Sequence, residues 1–500
     1  MKINKILEII LLFFIICIAL LPRSIEVLNK NYIFGFDQGR DYLAVKNIVV
    51  DHKPTLIGSE VGAGGAGLNG IFQGPLYYYF LSIPFLLTKG DPYGGVVLMF
   101  VLSVLSVVFS YLFGKKVLGT IGGLIAGLLF ALSPMFIAQA RFTWNSNPST
   151  LFILLAFCFA YLGIKKKNKY IFLSSFFAGF VYNFQFAVSI PLSVSIFLFY
   201  IFIVKLRDIK KYLILFSGFI IAFLPGLLFE LRHGFMGIGG FAKYLFGSKE
   251  AGASFLPSQR IVVDHISSFF NAFMDVFPKN IMPQQILFLI VLIPAAYYLY
   301  KEKNLELRKF VTFLFLLFPV YFLVFLFFRN TIWVYYLIAL NAAYILLFSY
   351  SVASSFKKNN YLLNLFYILF LLFVVLKTLP ALINVFIYDY RDYGGTAKIR
   401  GKTDAIDFIY SDAKGEKFSL FIFSPPIYVY PYDYILWWHA KEKFGYVPDN
   451  IKAGTFYLLI EKDNDELWYK GWLETVIKDG TVIWEKTLSS GFIVQKRIGK

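Results

Sequence analysis

The sequence predicts a polytopic α-helical membrane protein with about eleven transmembrane helices, followed by a C-terminal extracytoplasmic α/β domain. Of its 500 residues, 58% are hydrophobic, 20% are aromatic and only 16% are charged. A soluble domain is about one-quarter charged, so this composition excludes a soluble protein. Alternating strand and helix patterns after residue 385 predict the α/β domain.

Eleven segments are apolar and come close to the roughly 20 residues that a membrane-spanning helix requires. They cover residues 6–22, 93–113, 117–137, 149–164, 170–185, 187–204, 212–229, 283–300, 310–328, 333–350 and 361–383. A further apolar stretch, residues 76–87, is about half that length. We expect it to lie along the membrane surface or to re-enter the bilayer, because a span here would invert the side of every later loop.

Basic residues are concentrated before the first predicted span and in every second connection after it, where eighteen Lys and Arg in total accompany only three acids. They are Lys2, Lys5, Lys115, Lys116, Lys165, Lys166, Lys167, Lys169, Lys205, Arg207, Lys210, Lys211, Lys301, Lys303, Arg308, Lys309, Lys357 and Lys358. Because Lys and Arg accumulate in cytoplasmic loops, the pattern predicts a cytoplasmic N-terminus and an external C-terminus in the cell (plasma or inner) membrane. It also explains most of the net charge of +18 without a nucleic-acid partner.

This topology predicts two domains. Residues 1–384 form a transmembrane catalytic module with long external loops at 23–92 and 230–282, and residues 385–500 form the external α/β domain. We expect a helix near 398–411 and strands at 418–423, 455–461, 481–487 and 492–497. The first span could instead be a cleaved signal peptide, although no A-x-A site follows it; either interpretation leaves the next loop outside.

The first external loop brings Asp37, Gln38, Arg40 and Asp41 within five residues. Asp37 and Asp41, four residues apart, share one face of a helix. An acid at this position can act as a base on an acceptor hydroxyl or help to hold a divalent cation. The alternative is a solvated helix start with a local ion pair. Asp37 and Asp41 are the candidate catalytic residues.

Four basic residues are candidates for binding a phosphate: Arg40, Arg141, Arg232 and His233. Arginine suits a phosphate because its planar guanidinium makes paired, charge-assisted hydrogen bonds. Arg141 lies in a short turn with Trp144 and Asn145, and Arg232 ends the seventh predicted span. The alternative for Arg232 is a charge that only ends a helix at the membrane surface.

The predicted tail domain contains the aromatic stretch SPPIYVYPYDYILWWHAKEKFGY. Its rings can stack on sugar faces. The alternative is that they form the core of a small domain, or an interfacial belt beside the membrane.

The first 170 residues or so resemble the GT-C superfamily of membrane glycosyltransferases, in particular the branch of protein O-mannosyltransferases and the lipid A aminoarabinose transferase. The resemblance rests on one span followed by an external loop with acids, and on GIFQGPLYYYFLSIPFLL, which is similar to the family's H-P-P-L-Y-Y segment. The KKVLG turn after the second span adds to it.

In that family an acidic pair after the first span supplies the catalytic carboxylate. Asp37 matches the first acid, Gln38 stands where the second would be, and Gln73 and Gly74 stand where the family has His and Pro. The resemblance therefore leaves open whether Asp37 or Asp41 is the base. It implies a sugar donor on polyprenyl phosphate, bound from the external leaflet, and a lipid, glycan or protein acceptor.

The implied chemistry is an inverting displacement in which one carboxylate takes the acceptor proton. The phosphate leaves as an anion that needs positive charge, which the four basic candidates or a divalent cation can supply. The competing hypothesis is a transporter or flippase for lipid-linked saccharides, which usually carries ionisable residues near the bilayer midplane. A third is an inactive scaffold or sensor whose tail binds glycans.

Overall fold

The structure, a computed structural model, describes residues 4–64, 70–246, 259–274, 276–277, 283–328, 330–425, 428–452, 454–463 and 466–499. Helices make up most of it, and a four-stranded sheet lies near the C-terminus. The predicted fold class, a multi-pass helical membrane protein with a C-terminal α/β part, is confirmed. Part of the predicted loop 230–282 lies outside the described residues.

Helices fill the part of the chain before the sheet. They are α1 (Lys5–Arg23), α2 (Ile25–Asn29), α3 (Phe36–Val49), α4 (Leu76–Leu87), α5 (Tyr93–Leu132), α6 (Pro134–Ala138), α7 (Ser149–Gly163), α8 (Asn168–Phe180), α9 (Phe186–Leu198), α10 (Ile209–Arg232), α11 (Met236–Phe246), α12 (Gln259–Met274), α13 (Gln284–Tyr300), α14 (Leu305–Phe325), α15 (Ile338–Lys357) and α16 (Tyr361–Arg391). Each predicted span overlaps at least one of these helices. Helix α16 continues past the predicted domain boundary at residue 384.

The two spans predicted at 93–113 and 117–137 form one element, α5, which reverses direction at Gly119. Gly119 has a φ of +85°, a backbone conformation that glycine adopts at no steric cost. Beyond it, Gly123 lies against the backbone of Tyr111 and Lys115. Helix α5 is therefore a hairpin, as the KKVLG turn predicts.

Seven helical elements among the described residues are long and apolar enough to cross a bilayer. They are α1, α5, α9 with the turn Phe199–Val204, α10, α14, α15 with the preceding turn Val334–Leu337, and α16. Helices α7 and α13 are apolar but shorter. Eleven spans therefore remain a prediction. The segment expected at the membrane surface is α4, a short helix that exposes Ile83, Leu86 and Leu87.

A buried cation, Arg23, fixes the place where the chain enters the first long loop. Its guanidinium donates to the backbone carbonyls of Ala19 at 3.1 Å, Ala131 at 2.9 Å and Phe130 at 2.8 Å. The last two carbonyls belong to the final turn of α5, where a helix cannot satisfy its own acceptors. Arg23 thereby joins α1 to α5 just before the segment that carries α3.

The C-terminal unit, residues 399–499, contains the sheet and four short or medium helices in its described part. These are α17 (Ile399–Ala413), α18 (Tyr430–Ile435), α19 (Lys441–Phe444) and α20 (Leu467–Trp472), with β1 (Ser419–Phe423), β2 (Thr455–Ile460), β3 (Thr481–Thr487) and β4 (Ile493–Ile498). The strand order is β1-β2-β4-β3, with β1 and β2 parallel and the other pairs antiparallel. The four predicted strands and the predicted first helix are confirmed.

Helix α3 is packed between the transmembrane helices and the C-terminal unit. At Gly39 it approaches α18 so closely that a methyl group would overlap the backbone of Tyr430 and Pro431. One turn later the Tyr42 ring lies 5.2 Å from the Tyr434 ring. The Tyr42 hydroxyl also donates to the Pro92 carbonyl at 3.0 Å, next to the start of α5. Helix α3 is therefore held from both sides.

We expect Gly39→Ala to destabilise the protein by up to about 3 kcal/mol, because the added methyl must displace the backbone of α18. Gly471→Ala in α20 is the matched control, since a methyl there meets nothing within 4 Å and a helical Gly→Ala change stabilises by about 0.5–1 kcal/mol. Thermal unfolding of the full-length protein, followed by intrinsic fluorescence, measures both. Equal melting temperatures for the two variants would contradict the close packing of α3 on α18.

Candidate active site

The first turn of α3 is shaped by Gln38. Its side-chain oxygen accepts the backbone N–H of Gly35 at 2.9 Å, which satisfies one of the free donors at the helix start. Its amide nitrogen donates to the carbonyl of Thr143 at 2.8 Å. A glutamate at this position could accept the first bond but could not donate the second. Gln38 thus ties α3 to the turn between α6 and α7.

Asp37, Arg40 and Asp41 come together on one face of α3. Nη1 of Arg40 lies 2.9 Å from Oδ1 of Asp37. Its Nε and Nη2 atoms lie 2.9 and 2.8 Å from Oδ1 of Asp41. Although burial lowers the pKa of Arg40, the neighbouring carboxylates of Asp41 and Asp37 raise it above its ordinary value. The arginine remains charged and holds the two acids apart.

The two carboxylates differ in their access to solvent. The Asp37 side chain is 38% exposed, whereas that of Asp41 is 1% exposed. Burial raises the pKa of Asp41 to about 6, against the lowering effect of Arg40. Oδ2 of Asp41 has no hydrogen-bond partner among the described residues. Asp37 is therefore the acid that a substrate can reach, and Asp41 is the acid that anchors Arg40.

A chain of aromatic contacts leads away from Asp37. The indole N–H of Trp144 donates to Oδ2 of Asp37 at 3.1 Å. The Trp144 ring lies 4.5 Å from the ring of Tyr335, and Tyr335 lies 4.8 Å from Tyr336. Trp144 fixes the orientation of the accessible carboxylate and connects it to a cavity that Tyr336 lines.

The cavity has a volume of about 580 Å³ and is lined mostly by apolar side chains. It lies between α9, α10, α11 and α14, with the loop before α4 on one side. Lining residues include Ile57, Phe72, Phe186, Ile190, Phe223, Leu227, Phe241, Phe325 and Tyr336. Glu230 also faces it, but its carboxylate accepts the N–H groups of Gly237 and Ile238, at 3.1 Å each, at the start of α11. The cavity suits an apolar ligand.

Arg141 pairs with Glu26 and Asp389, not with Asp37 or Asp41. Its Nε lies 2.9 Å from Oε2 of Glu26, and its Nη2 lies 2.5 Å from Oε1 of Glu26 and 2.7 Å from Oδ2 of Asp389. These contacts join α2, the α6–α7 turn and the end of α16. The guanidinium predicted to bind phosphate is therefore already paired with two carboxylates.

Arg232 and His233 lie at the end of α10, next to the cavity wall. The His233 ring stacks on Phe229, with ring centroids 4.1 Å apart, and its Nδ1 lies 2.9 Å from the Phe229 carbonyl. Phe229 itself lines the cavity. Arg232 is exposed, and no acid pairs with it in the described part of the chain. Of the three candidate arginines, it is therefore the one without an acid partner in the described residues.

The sequence places Trp144 and Asn145 in one turn but does not indicate what their side chains contact. Nδ2 of Asn145 donates to Oε1 of Gln73 at 2.9 Å and to the carbonyl of Phe184 at 2.7 Å, and both side chains are buried. Gln73 is the first residue of the QGPLYYY stretch. It serves here as a buried acceptor that links the start of α4 to the α6–α7 turn. No local signal in the sequence indicates this pairing across 72 residues.

The acids and histidines of the described residues bear on whether a divalent cation can bind. No group of three His, Cys, Asp or Glu comes together among the described residues. Asp37 and Asp41 are both bound to Arg40, so a guanidinium occupies the position between the two carboxylates.

Part of the chain matches a known family by sequence. Residues 73–229 match the family model described as dolichyl-phosphate-mannose-protein mannosyltransferase. The matched segment begins at the first residue of the QGPLYYY stretch and ends in α10, so it does not include α3. No curated protein matches the chain by sequence.

Two solved structures are similar to this one. The ArnT of Cupriavidus metallidurans, solved with bound undecaprenyl phosphate, has a TM-score of 0.54 at 10% identity, with 97% of each chain covered. An oligosaccharyltransferase of Archaeoglobus fulgidus, solved with Zn and sulfate, has a TM-score of 0.47 at 12% identity, covering 97% of this chain and 73% of the other. The likeness to ArnT shows a shared fold. With the family match, it confirms the resemblance to GT-C membrane glycosyltransferases.

The buried Asp41 makes stability depend on pH. The pKa of Asp41 in the folded protein is about 6, above the ordinary value of 3.8. Protonated Asp41 therefore contributes fully to the free energy of unfolding below about pH 4, and this contribution is lost as the pH rises to about 6. The loss is about 3 kcal/mol at 1.36 kcal/mol per unit. Melting temperatures of the wild type and Asp41→Asn, compared from pH 4 to 8, test this. We expect the melting temperature of the wild type to fall relative to that of the variant up to about pH 6, and the two curves to be parallel above that pH. Curves that are parallel from pH 4 to 8 would contradict the raised pKa of Asp41.

Proposed function

We propose that this protein is a membrane glycosyltransferase that moves a sugar from a polyprenyl-phosphate donor to an acceptor hydroxyl. The observation that carries the proposal is the series of contacts from Asp37 through Trp144 and Tyr335 to Tyr336, which links an accessible carboxylate to an apolar cavity. Its volume, about 580 Å³, is within the range of small-molecule sites. The similar ArnT structure was solved with undecaprenyl phosphate, which supports the donor class.

The reaction is a single displacement at the anomeric carbon. The acceptor oxygen attacks this carbon while a carboxylate takes the hydroxyl proton. The bond from the anomeric carbon to the phosphate oxygen breaks, and its electron pair leaves with the polyprenyl phosphate. The configuration inverts because the nucleophile enters opposite the leaving group.

Asp37 is the base in this mechanism. Its exposure allows an acceptor hydroxyl to approach within hydrogen-bond distance, which general-base catalysis requires. Asp41 would have to break its bonds to Arg40 and leave a buried position to do the same. The hydrogen bond from Trp144 and the ion pair with Arg40 hold one oxygen each of Asp37.

The leaving phosphate requires positive charge more than a general acid. Arg232 and His233 are proposed to supply it, since they adjoin the cavity and Arg232 is not paired with an acid among the described residues. Arg40 adds a fixed charge beside the base.

The membrane orientation is part of the proposal. The lysine clusters favour a cytoplasmic N-terminus, which puts α3 and the C-terminal unit on the external face of the cell membrane. The donor would enter from the external leaflet. The acceptor would be a lipid, a glycan or a protein hydroxyl on the same side.

Asp37→Asn is expected to lower sugar transfer by about 10²–10⁴-fold, because the amide cannot take the acceptor proton. The measurement is transfer from a set of synthetic polyprenyl-phosphate sugars in proteoliposomes. Asp51→Asn is the matched control: Asp51 also lies in the first loop and pairs with a cation, Lys46 at 2.7 Å, but is not part of the Asp37–Arg40–Asp41 group. It should retain activity.

Full activity in Asp37→Asn together with loss in Asp41→Asn would move the base to Asp41. Full activity in both variants would reject the mechanism. Movement of the intact donor across the bilayer without sugar transfer would instead favour the transporter or flippase.

Ala187→Trp should raise the KM for the polyprenyl donor at least about tenfold with little change in kcat, since an indole of this size fills part of the cavity that Ala187 lines. Leu213→Trp on α10 is the control, because Leu213 is 62% exposed and does not line the cavity. An unchanged donor KM in Ala187→Trp would contradict the assignment of the cavity to the lipid.

A further inference from the structure

Three aromatic rings lie together beside the accessible carboxylate. Phe36 immediately precedes Asp37, and its ring centroid is 5.8 Å from that of Tyr428 and 5.3 Å from that of Tyr430. Tyr428 and Tyr430 stack with an interplanar angle of 13° and a centroid distance of 5.4 Å. We call these three residues the aromatic platform.

The aromatic platform is not part of the core of the C-terminal unit. Tyr432 and Tyr434, the next two tyrosines in the same stretch, are both fully buried, whereas Tyr428 is 57% exposed. Phe36 and Tyr430 are partly exposed. An exposed ring gains nothing for folding by keeping its face toward water. The stretch therefore combines core rings with rings that remain available to a ligand.

The stretch that carries Tyr428 and Tyr430 is held by contacts on two sides. Tyr432 and Ser424 donate to Oε2 of Glu461, each at 2.8 Å, and the buried Lys402 lies 3.4 Å from the same oxygen. This group lies at the carboxyl ends of the parallel strands β1 and β2. On the other side, the backbone of α18 rests against Gly39. Two separate parts of the chain thus fix the rings in place.

The charges next to the platform fit a polyhydroxylated ligand. The guanidinium carbon of Arg40 lies 5.8 Å from the Phe36 ring centroid, and Asp37 follows Phe36 directly in the chain. A pyranose has an apolar face of C–H groups, which packs on aromatic rings, and equatorial hydroxyls, which bond to carboxylate and guanidinium groups. An apolar ligand would cover the partly exposed carboxylate of Asp37 without hydrogen-bonding to it.

We propose that the aromatic platform is a saccharide subsite that holds a pyranose ring next to Asp37. Stacking on Tyr428 and Phe36 presents one edge of the sugar to Asp37 and Arg40. The role of this subsite in sugar transfer rests on the proposed function. Its ability to bind a sugar does not. The pyranose belongs either to a glycan acceptor or to the donor, and the C-terminal unit contributes directly to the active site in both cases.

Sugar binding is measured on the full chain in phosphatidylcholine nanodiscs, since glycosidic detergents would compete. The probes are methyl α-D-mannopyranoside, methyl β-D-glucopyranoside and methyl β-D-galactopyranoside, with open-chain sorbitol for comparison, observed by saturation-transfer NMR. We expect at least one glycoside to bind, and Tyr428→Ala to weaken this binding about fivefold or more, as loss of an aromatic contact does.

Two variants serve as controls. Tyr428→Phe keeps the ring and should bind the glycoside as the wild type does. Trp468→Ala removes another ring of the C-terminal unit, 63% exposed on α20, and should have no effect.

The transfer assay then identifies the source of the sugar. A higher acceptor KM in Tyr428→Ala assigns the platform to the acceptor, and a higher donor KM assigns it to the donor sugar. The proposal is overturned if no glycoside binds more tightly than sorbitol, if Tyr428→Ala binds like the wild type, or if both KM values are unchanged in an active Tyr428→Ala enzyme. Glycoside binding that depends on Tyr428 in a protein without transferase activity would retain the subsite and reject the proposed function, so the two failures are distinguishable.

Discussion

The close approach of α3 to α18 at Gly39 is the constraint on which the candidate site depends. Any side chain at this position would push the backbone of Tyr430 and Pro431 away. The same helix is tied to the transmembrane part by Gln38 through Thr143 and by Tyr42 through Pro92. Because α3 is held on both sides, Asp37 and the aromatic platform keep a fixed relation to each other. A preorganised carboxylate costs little reorganisation when the reaction occurs.

The distribution of charge on α3 explains why two acids and one arginine occur together. A buried carboxylate without a partner would be costly, and Arg40 offsets the burial of Asp41. In return, Asp41 orients the guanidinium so that its remaining nitrogen reaches Asp37. The result is one accessible carboxylate, Asp37, whose orientation is set by a cation that is itself held by Asp41. The group carries a net negative charge, which suits it to accept a proton better than to bind a phosphate.

Local patterns in the sequence predict the apolar helices and the four strands, but not helices α11 and α12 within the predicted loop 230–282. They also do not predict the partners of the charged residues. Apolar runs and turn residues located α4 and the four strands, because those features depend on neighbours in sequence. The pairing of Arg141 with Glu26 and Asp389 joins residues 115 or more positions apart, and the bond from Trp144 to Asp37 spans 107 positions. Asp37 and Asp41 looked equivalent by spacing. Only the burial of Asp41 by the helices around it distinguishes them.

The three candidate arginines differ in the ion pairs that each would have to break in order to bind a phosphate. Arg141 is bound by Glu26 and Asp389, and Arg40 by Asp37 and Asp41. A phosphate that approaches either arginine would meet two carboxylates, and breaking the ion pairs of the buried Asp41 and Glu26 would leave a buried charge without a partner, which is costly. Arg232 carries no such cost in the described part of the chain, because it is exposed and unpaired there. Because Arg232 lies beside the wall of the apolar cavity, we propose the end of α10 as the position of the donor phosphate and Asp37 as the group that faces the acceptor.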